Sequence, residues 1–351
     1  MTHPTSFYRS RMKLLASVVL GASLLFGTAG CPNKSHNDSI KLSNEATKAL
    51  GQKQYETAIE RYLKATEAWR ENHTAWYGLA GAYIGKQDWA KAADALQNCV
   101  QIEPDQAMYQ MVYGIALYNK AIDTARQDQA RRENKKPEEV WVDLTVVNFE
   151  KAQSALVEAI KLNPDLWKAH YYLGRIYRDT GKAKESAEEL NKALSYGPTD
   201  AAPWIALTEL YRQWDYTDQA IQVATQATAV VPSGDQSYAD LWYEVGMGYD
   251  DKRLDDKAIE AFTKAIDAKR DHAKAKFQRG QAYFRKGDYT NAKKDLEDFS
   301  KTGGSSVEFA KQQASKMLLD IAAKNAMQSN TPTPEKQSPE DVVKDKGKKG
   351  G

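Results

Sequence analysis

An all-α fold, a solenoid of about seven helix-turn-helix repeats closed by a C-terminal capping helix, is predicted by three features of the sequence. Proline recurs 34 residues apart at Pro164, Pro198 and Pro232. Small residues recur at the same interval: Ala58 and Ala92, then Ala152, Ser186 and Ala220, then Ala258 and Ala292. Between these markers apolar side chains fall at helical spacing. Tyr172, Leu173, Ile176 and Tyr177 precede Gly181, and Leu190, Ala193 and Leu194 follow it. Gly174 and Ser186 are small where a core face would carry larger residues, which lets two helix backbones approach closely. One such hairpin cannot bury its own apolar face, so it must stack on copies of itself.

The stretch 167–200 is the clearest copy. His170, Gly174, Tyr177, Ser186, Leu190, Ala193 and Pro198 occupy a large, a small, an aromatic, a small, an apolar, a small and a proline slot in one register. That pattern resembles the tetratricopeptide repeat. The resemblance implies a right-handed α-solenoid whose first helices line a concave face.

The remaining elements follow in order. Repeat one, 39–72, places Ala46, Ala58, Tyr62 and Ala65 in register. Its Glu45 stands where later repeats have leucine, as suits an end with no preceding neighbour. Repeat two, 73–106, has Trp76, Leu79, Ala80, Tyr83, Trp89, Ala92, Leu96 and Pro104, with Cys99 filling a small slot as a core thiol. Repeat three, 107–166, is split by an insertion at about 119–148. Ala121–Arg132 lacks Gly and Pro and extends the first helix, and Pro137-Glu138-Glu139 reads as the first turn of another. Val140, Trp141, Leu144 and Val147 supply that helix with an apolar stripe, so two elongated helices forming a projecting arm are expected. Its tip carries Arg131, Arg132, Lys135 and Lys136, a possible secondary contact for anionic lipid or an acidic partner. Repeats four and five are 167–200 and 201–234, and repeat six, 239–272, starts four residues late because of the Ser-Gly-Asp loop at 233–238. Repeat seven is 273–301, with Phe299 replacing the usual small residue. Ser305 and Glu308 read as a capping box that starts the capping helix 305–328. Residues 329–351 have a composition expected to be disordered.

Residues 1–30 read as an address. Arg9, Arg11 and Lys13 precede the apolar run 14–26, which has the length of a secretory signal core and is too short to span a bilayer. The run ends in Gly27-Thr28-Ala29-Gly30-Cys31. Small residues before a cysteine resemble the bacterial lipoprotein box, although Thr28 departs from the aliphatic residue usual there. The resemblance implies a lipoprotein signal peptide cleaved before Cys31. It also implies lipidation (palmitate or a similar chain) of the Cys31 sulfur and of the new amino group. Two or three chains make such an anchor effectively permanent. Residues 31–38 then form a polar tether. An ordinary signal peptide with an unrelated cysteine, and a start at Met12, stay open at this point.

Composition narrows the function. Lys plus Arg total 49 and Asp plus Glu 47. Removing the leader's three cations leaves 46 against 47, a net charge of −1, which gives no footprint for nucleic acid. Five histidines are scattered, and no HExxH, CxxC, GxSxG or phosphate-loop motif occurs. No catalytic residue, metal site, cofactor or small-molecule substrate is therefore expected, and the chain reads as a non-enzyme.

The expected site is the concave groove. Family positions that face it hold Tyr77, Ile84, Met108, Met111, Ile115 and Tyr118, then Tyr171, Arg175, Arg178 and Arg212 beside Glu209. An apolar strip turning basic suits a protein or peptide partner laid in a groove. The paired Lys/Asn clamp of the family's chaperone-tail binders is missing, because Ser43, Thr47, Tyr77, Gly81, Met111 and Ile115 stand at those places. These features imply a lipid-anchored scaffold of the bacterial cell envelope, expected at the periplasmic face of the outer membrane. Pro32 leaves inner against outer membrane open. A direct regulator of a cell-wall or secretion enzyme is the alternative. A cytoplasmic co-chaperone would require the leader to stay uncleaved.

Overall fold

Each repeat is held at its two ends by backbone geometry, and that geometry sets the fold. The computed structural model describes residues 34–301 and 308–329. Among the described residues there are fifteen α-helices and no strand. They are α1 (Lys34–Gly51), α2 (Tyr55–Ala68), α3 (His73–Gly85), α4 (Trp89–Ile102), α5 (Ala107–Glu133), α6 (Glu150–Leu162), α7 (Trp167–Asp179) and α8 (Ala183–Tyr196). The chain continues with α9 (Ala201–Gln213), α10 (Thr217–Val230), α11 (Tyr238–Asp251), α12 (Asp255–Ala268), α13 (Ala273–Lys286), α14 (Tyr289–Ser300) and α15 (Glu308–Ser329). Each helix packs on its sequence neighbours, and first helices also touch the first helices of adjacent repeats. This nearest-neighbour architecture is an α-solenoid.

Inside six repeats the turn is the same. One residue takes a left-handed conformation: Lys53, Gln87, Gly181, Asp215, Arg253 or Gly287, with φ between 57° and 80°. The next residue's N–H then reaches back five residues, as in Asp88 to the Tyr83 carbonyl and Lys182 to the Tyr177 carbonyl, at 2.9 and 2.8 Å. The bond satisfies a carbonyl that the ending helix would otherwise leave open.

Between repeats a second lock recurs. Trp76 Nε1, Gln110 Nε2 and Trp204 Nε1 each donate to the carbonyl six residues earlier, that of Arg70, Pro104 and Pro198, at 2.8, 3.1 and 2.7 Å. His170 Nε2 makes the equivalent contact with Pro164 at 2.9 Å. These residues share one repeat position, and what they have in common is a ring or amide N–H at the right reach. The small slots behave as the sequence predicts. A Cβ on Gly174 would lie 2.9 Å from Leu190 Cγ, and Ser186 Oγ donates to the Gly174 carbonyl at 2.8 Å.

The arm differs from expectation. α5 runs 27 residues, as predicted, and ends on left-handed Asn134. The return segment is not a second long helix. It consists of short 3-10 turns at Pro137–Glu139 and Leu144–Val146 joined by extended backbone at Val140 and Asp143. The run Val140-Trp141-Val142-Asp143-Leu144-Thr145-Val146-Val147 is rich in β-branched residues, which lose rotamer freedom in a helix. Asp143 also diverts its side chain to the Thr145 N–H at 3.0 Å. Val140 is buried, so the segment is held down against the protein.

One boundary shifts. The first helix starts at Lys34, so most of the expected tether 31–38 is helical. Ser39 is buried, donating to the Ala65 carbonyl and accepting from Asn72. At the other end α15 lays Ala314 and Ile321 on Phe277, Leu296 and Phe299, covering the last repeat as expected. Phe299 takes the place of a small residue because α15 leaves room for its ring, 4.8 Å from that of Phe277. The expected signal peptide 1–30, Cys31, the expected capping box at Ser305 and residues 330–351 lie outside the described residues.

The inter-repeat lock yields a prediction. Trp204→Phe keeps the ring and deletes the donor to Pro198. It should cost about 1 kcal/mol in a urea melt followed by far-UV circular dichroism, and an unchanged melt would show that the bond contributes nothing.

Candidate functional site

The first helices do face one another along one side of the array, but they leave little open groove. Tyr77, Ile84, Met111, Ile115, Tyr118, Tyr171 and Arg175 are all buried. Met108 alone of the expected apolar lining is exposed, at 38%. The expectation that these residues line an open groove is thus corrected for seven of them: they are core. The cause is close approach of successive first helices, whose rings interlock. Tyr77 lies 5.1 Å from Tyr109, and Tyr118 lies 5.8 Å from Tyr172, centroid to centroid.

Where the sequence predicts a basic turn in the groove, the structure builds a ladder of ion pairs. Arg175 has its guanidinium over the rings of Tyr118, Tyr171 and Tyr172, at 4.7, 5.6 and 5.2 Å, and donates to the Tyr118 hydroxyl at 2.9 Å. Tyr118 in turn donates to Asp179. Arg178 gives Nε and Nη2 to Asp179 at 3.0 and 2.8 Å and Nη1 to Glu209 at 3.1 Å. Arg212 repeats the arrangement one step on, with Nε and Nη2 on Asp251 at 2.7 and 3.3 Å and Nη1 on Glu244 at 3.1 Å. The chain of contacts runs from α5 through α7 and α9 to α11.

Electrostatics follow from burial. Desolvation opposes the charge on Arg175, but the three tyrosines and Asp179 outweigh it and the guanidinium stays charged. Arg178 is likewise opposed by burial and held charged by Asp179 and Glu209. Burial raises Asp179, yet Arg178 and Arg175 bring its carboxyl below the usual range. Glu244 goes the other way. Burial and the nearby Glu209 push it up to about 7 against the pull of Arg212.

Asp179, Glu244 and Asp251 were not among the residues read from the sequence. Their signal lies in offset: Arg178 meets Glu209 at 31 residues and Arg212 meets Glu244 at 32, near one repeat length. Arm-tip charges are partly spent. Arg131 pairs with Asp128 at 2.6 Å and Lys135 with Glu133 at 2.8 Å, while Arg132 and Lys136 are exposed and the Lys136 backbone N–H donates to Glu139. Trp141 and Val146 are exposed on the return segment, at 50% and 80%. A cleft of about 380 Å³ separates the arm from the turn of repeat two, lined by Lys86, Gln87, Trp89, Lys120, Asp123 and Gln127.

Ser43 donates to the Ser39 carbonyl, and Thr47 bonds the Tyr62 hydroxyl, so both clamp-position side chains serve the core. Among the described residues no group of three His, Cys, Asp or Glu is placed to hold a metal. Cys99 is fully buried with its thiol pushed up to about 12 by desolvation. No described helix is long and apolar enough to cross a membrane.

Two predictions follow from this geometry. Asp179→Asn removes the buried carboxylate that receives Arg178 and Tyr118 and should cost about 3–5 kcal/mol in the urea melt; a wild-type melt would mean that the ladder is dispensable. Because the folded Asp179 carboxyl is depressed, its contribution is present at neutral pH and lost as pH falls through the folded value. Cys99 should resist iodoacetamide at pH 8 in native buffer and react in denaturant, as mapped by peptide mass spectrometry.

Comparison with known proteins accords with this architecture. Sequence profiles described as tetratricopeptide repeat match residues 49–114, 144–203 and 250–298. A TPR repeat-containing protein of Methanocaldococcus jannaschii is 24% identical over 174 residues, covering 47% of this chain and 30% of its own length. Tetratricopeptide repeat protein 37 of Xenopus laevis is 24% identical over 215 residues, covering 61% of this chain. This chain thus spans 30% and 12% of the lengths of these two relatives. A crystal structure of a tetratricopeptide repeat protein from Parabacteroides merdae superposes with a TM-score of 0.55 at 12% identity, covering 82% of this chain and 99% of that one. At that identity the likeness concerns the fold. With its recurring turns, its small slots and these matches, the chain is an α-solenoid that carries tetratricopeptide repeats over the matched residues.

Proposed function

We propose that this protein is a lipid-anchored scaffold of a bacterial envelope that holds a protein or peptide partner on its repeat array. Tetratricopeptide arrays are in general protein-interaction scaffolds, and the observation that carries the reading here is the continuity of the platform. One apolar core runs from Ala46 to Leu241, through the first five repeats and into the sixth. The anchor rests on the lipoprotein-like leader ending at Cys31. With the inner face largely sealed, partner contact falls to what the platform leaves exposed: Met108, the arm-tip cations Arg132 and Lys136, and Trp141. Arg178 and Arg212 reach an acidic partner only by exchanging carboxylates they already hold.

Two measurements test the parts separately. Metabolic labelling with a fatty acid should mark the wild type, while Cys31→Ala should lose the label and leave the membrane fraction. An unlabelled, soluble wild type would defeat the anchor. Photo-crosslinkers at Met108, Arg132 and Trp141 should capture a protein from detergent-solubilised envelopes. Capture only from outer-helix positions such as Leu63 and Val157 would place the partner elsewhere.

A further inference from the structure

A solenoid ends safely when its outermost helix turns a polar side to solvent. The first end of the array obeys. α1 exposes Lys34, Asn37, Asp38, Lys41, Asn44 and Lys48, and among its described residues Ile40 is the single exposed large apolar side chain. The last end does not. α15 buries Ala314 and Ile321 against repeat seven, yet its Phe309, Leu319 and Met327 are 64%, 71% and 73% exposed. A helix with apolar side chains on two sides is built to be packed on both.

The outward side has an order of its own. Phe309, Gln313, Lys316, Asp320, Ala323 and Met327 are all exposed, and they are spaced alternately four and three residues apart. That is the spacing of a coiled-coil seam. Phe309 and Met327 lie about five turns apart at 3.6 residues per turn, so they share one direction. Leu319 flanks the seam. The order is also symmetric. Phe309 mirrors Met327, Gln313 mirrors Ala323, and Lys316 mirrors Asp320, all about one midpoint at position 318. A copy laid antiparallel along the seam therefore sets each Phe309 on a Met327 and each Lys316 on an Asp320 in a single register. A parallel copy would set Lys316 on Lys316 and Asp320 on Asp320, which like charges oppose.

Other occupants match less well. The sequence after Ser329 offers Val342 and Val343 as its large apolar residues, among prolines and charges. The outer side of α1 is polar, so head-to-tail growth of one array on the next has no complementary surface.

We propose that α15 pairs antiparallel with α15 of a second copy, about a two-fold axis at position 318, and so joins two arrays end to end as a homodimer. Phe309 and Met327 close the two ends of the seam. The two Lys316–Asp320 pairs cross the axis at its centre and fix direction and register. Neither the leader nor the residues proposed for partner contact take part, so the pairing is independent of the anchored-scaffold reading.

Sedimentation equilibrium of the full chain in density-matched detergent measures the pairing, and the wild type should reach twice the monomer mass. Lys316→Asp makes both central seam charges negative, and Asp320→Lys makes both positive. Each variant alone should self-associate at least about tenfold more weakly. An equal mixture of the two should recover the wild-type affinity, because every central charge then faces its opposite. Damage confined to the folding of α15 would not be mended by mixing. A wild type that is still monomeric at about 100 μM overturns the proposal. So do single variants that dimerise as tightly as the wild type, and a mixture that associates no better than its components.

Discussion

Every contact between repeats buries polar atoms along with apolar ones, and the array depends on each of those atoms finding a partner. Stacking hairpins removes alanines and leucines from water at little cost, but it also carries in helix ends, hydroxyls and charged side chains. The indole, amide and imidazole nitrogens that reach the carbonyl six residues back meet this demand at four junctions with different side chains. Within repeat one the same need is met by Ser39 and Asn72. Shape alone would allow many stackings. The requirement that each donor meet its acceptor selects one.

Charge obeys the same rule more strictly. Arg175 and Arg178 are in the wall because Tyr118, Asp179 and Glu209 receive them, and the assembly spans three repeats. Such a ladder adds little net stability over apolar packing, since burial of each ion is costly, but it penalises any misplacement of one repeat on the next. Register is thus set by electrostatics in the middle of the array and by aromatic interlock at Tyr77 and Tyr109 nearer its start.

Period and small-residue slots made the fold legible in the sequence, since both reflect contacts within one repeat or to the next. Gly174 and Ser186 were readable as a close approach for that reason, and they make one. The inner face was legible in composition but not in exposure. Whether Tyr171 or Ile115 faces solvent depends on how tightly consecutive first helices close, and no single repeat encodes that angle. The return half of the arm was misread because Val140, Trp141, Leu144 and Val147 satisfy a helical spacing while their β-branched neighbours and Asp143 favour extended backbone. Spacing gave one answer, local propensity gave another, and the second prevailed, with Val140 buried and Leu144 and Val147 half-buried against the core.

The long first helix of the split repeat has a mechanical meaning. Tyr118, which receives Arg175, sits near the midpoint of α5, and Glu133 lies 15 residues beyond it. At 1.5 Å per residue the half beyond Tyr118 is a lever of about 22 Å. Because the helix is unbroken through both points, a load applied at the tip is delivered as torque on the Tyr118–Arg175–Asp179 contact. A small force on the arm thus acts on the third-to-fourth repeat junction with mechanical advantage, and a twist at that junction sweeps the tip through a correspondingly wide arc.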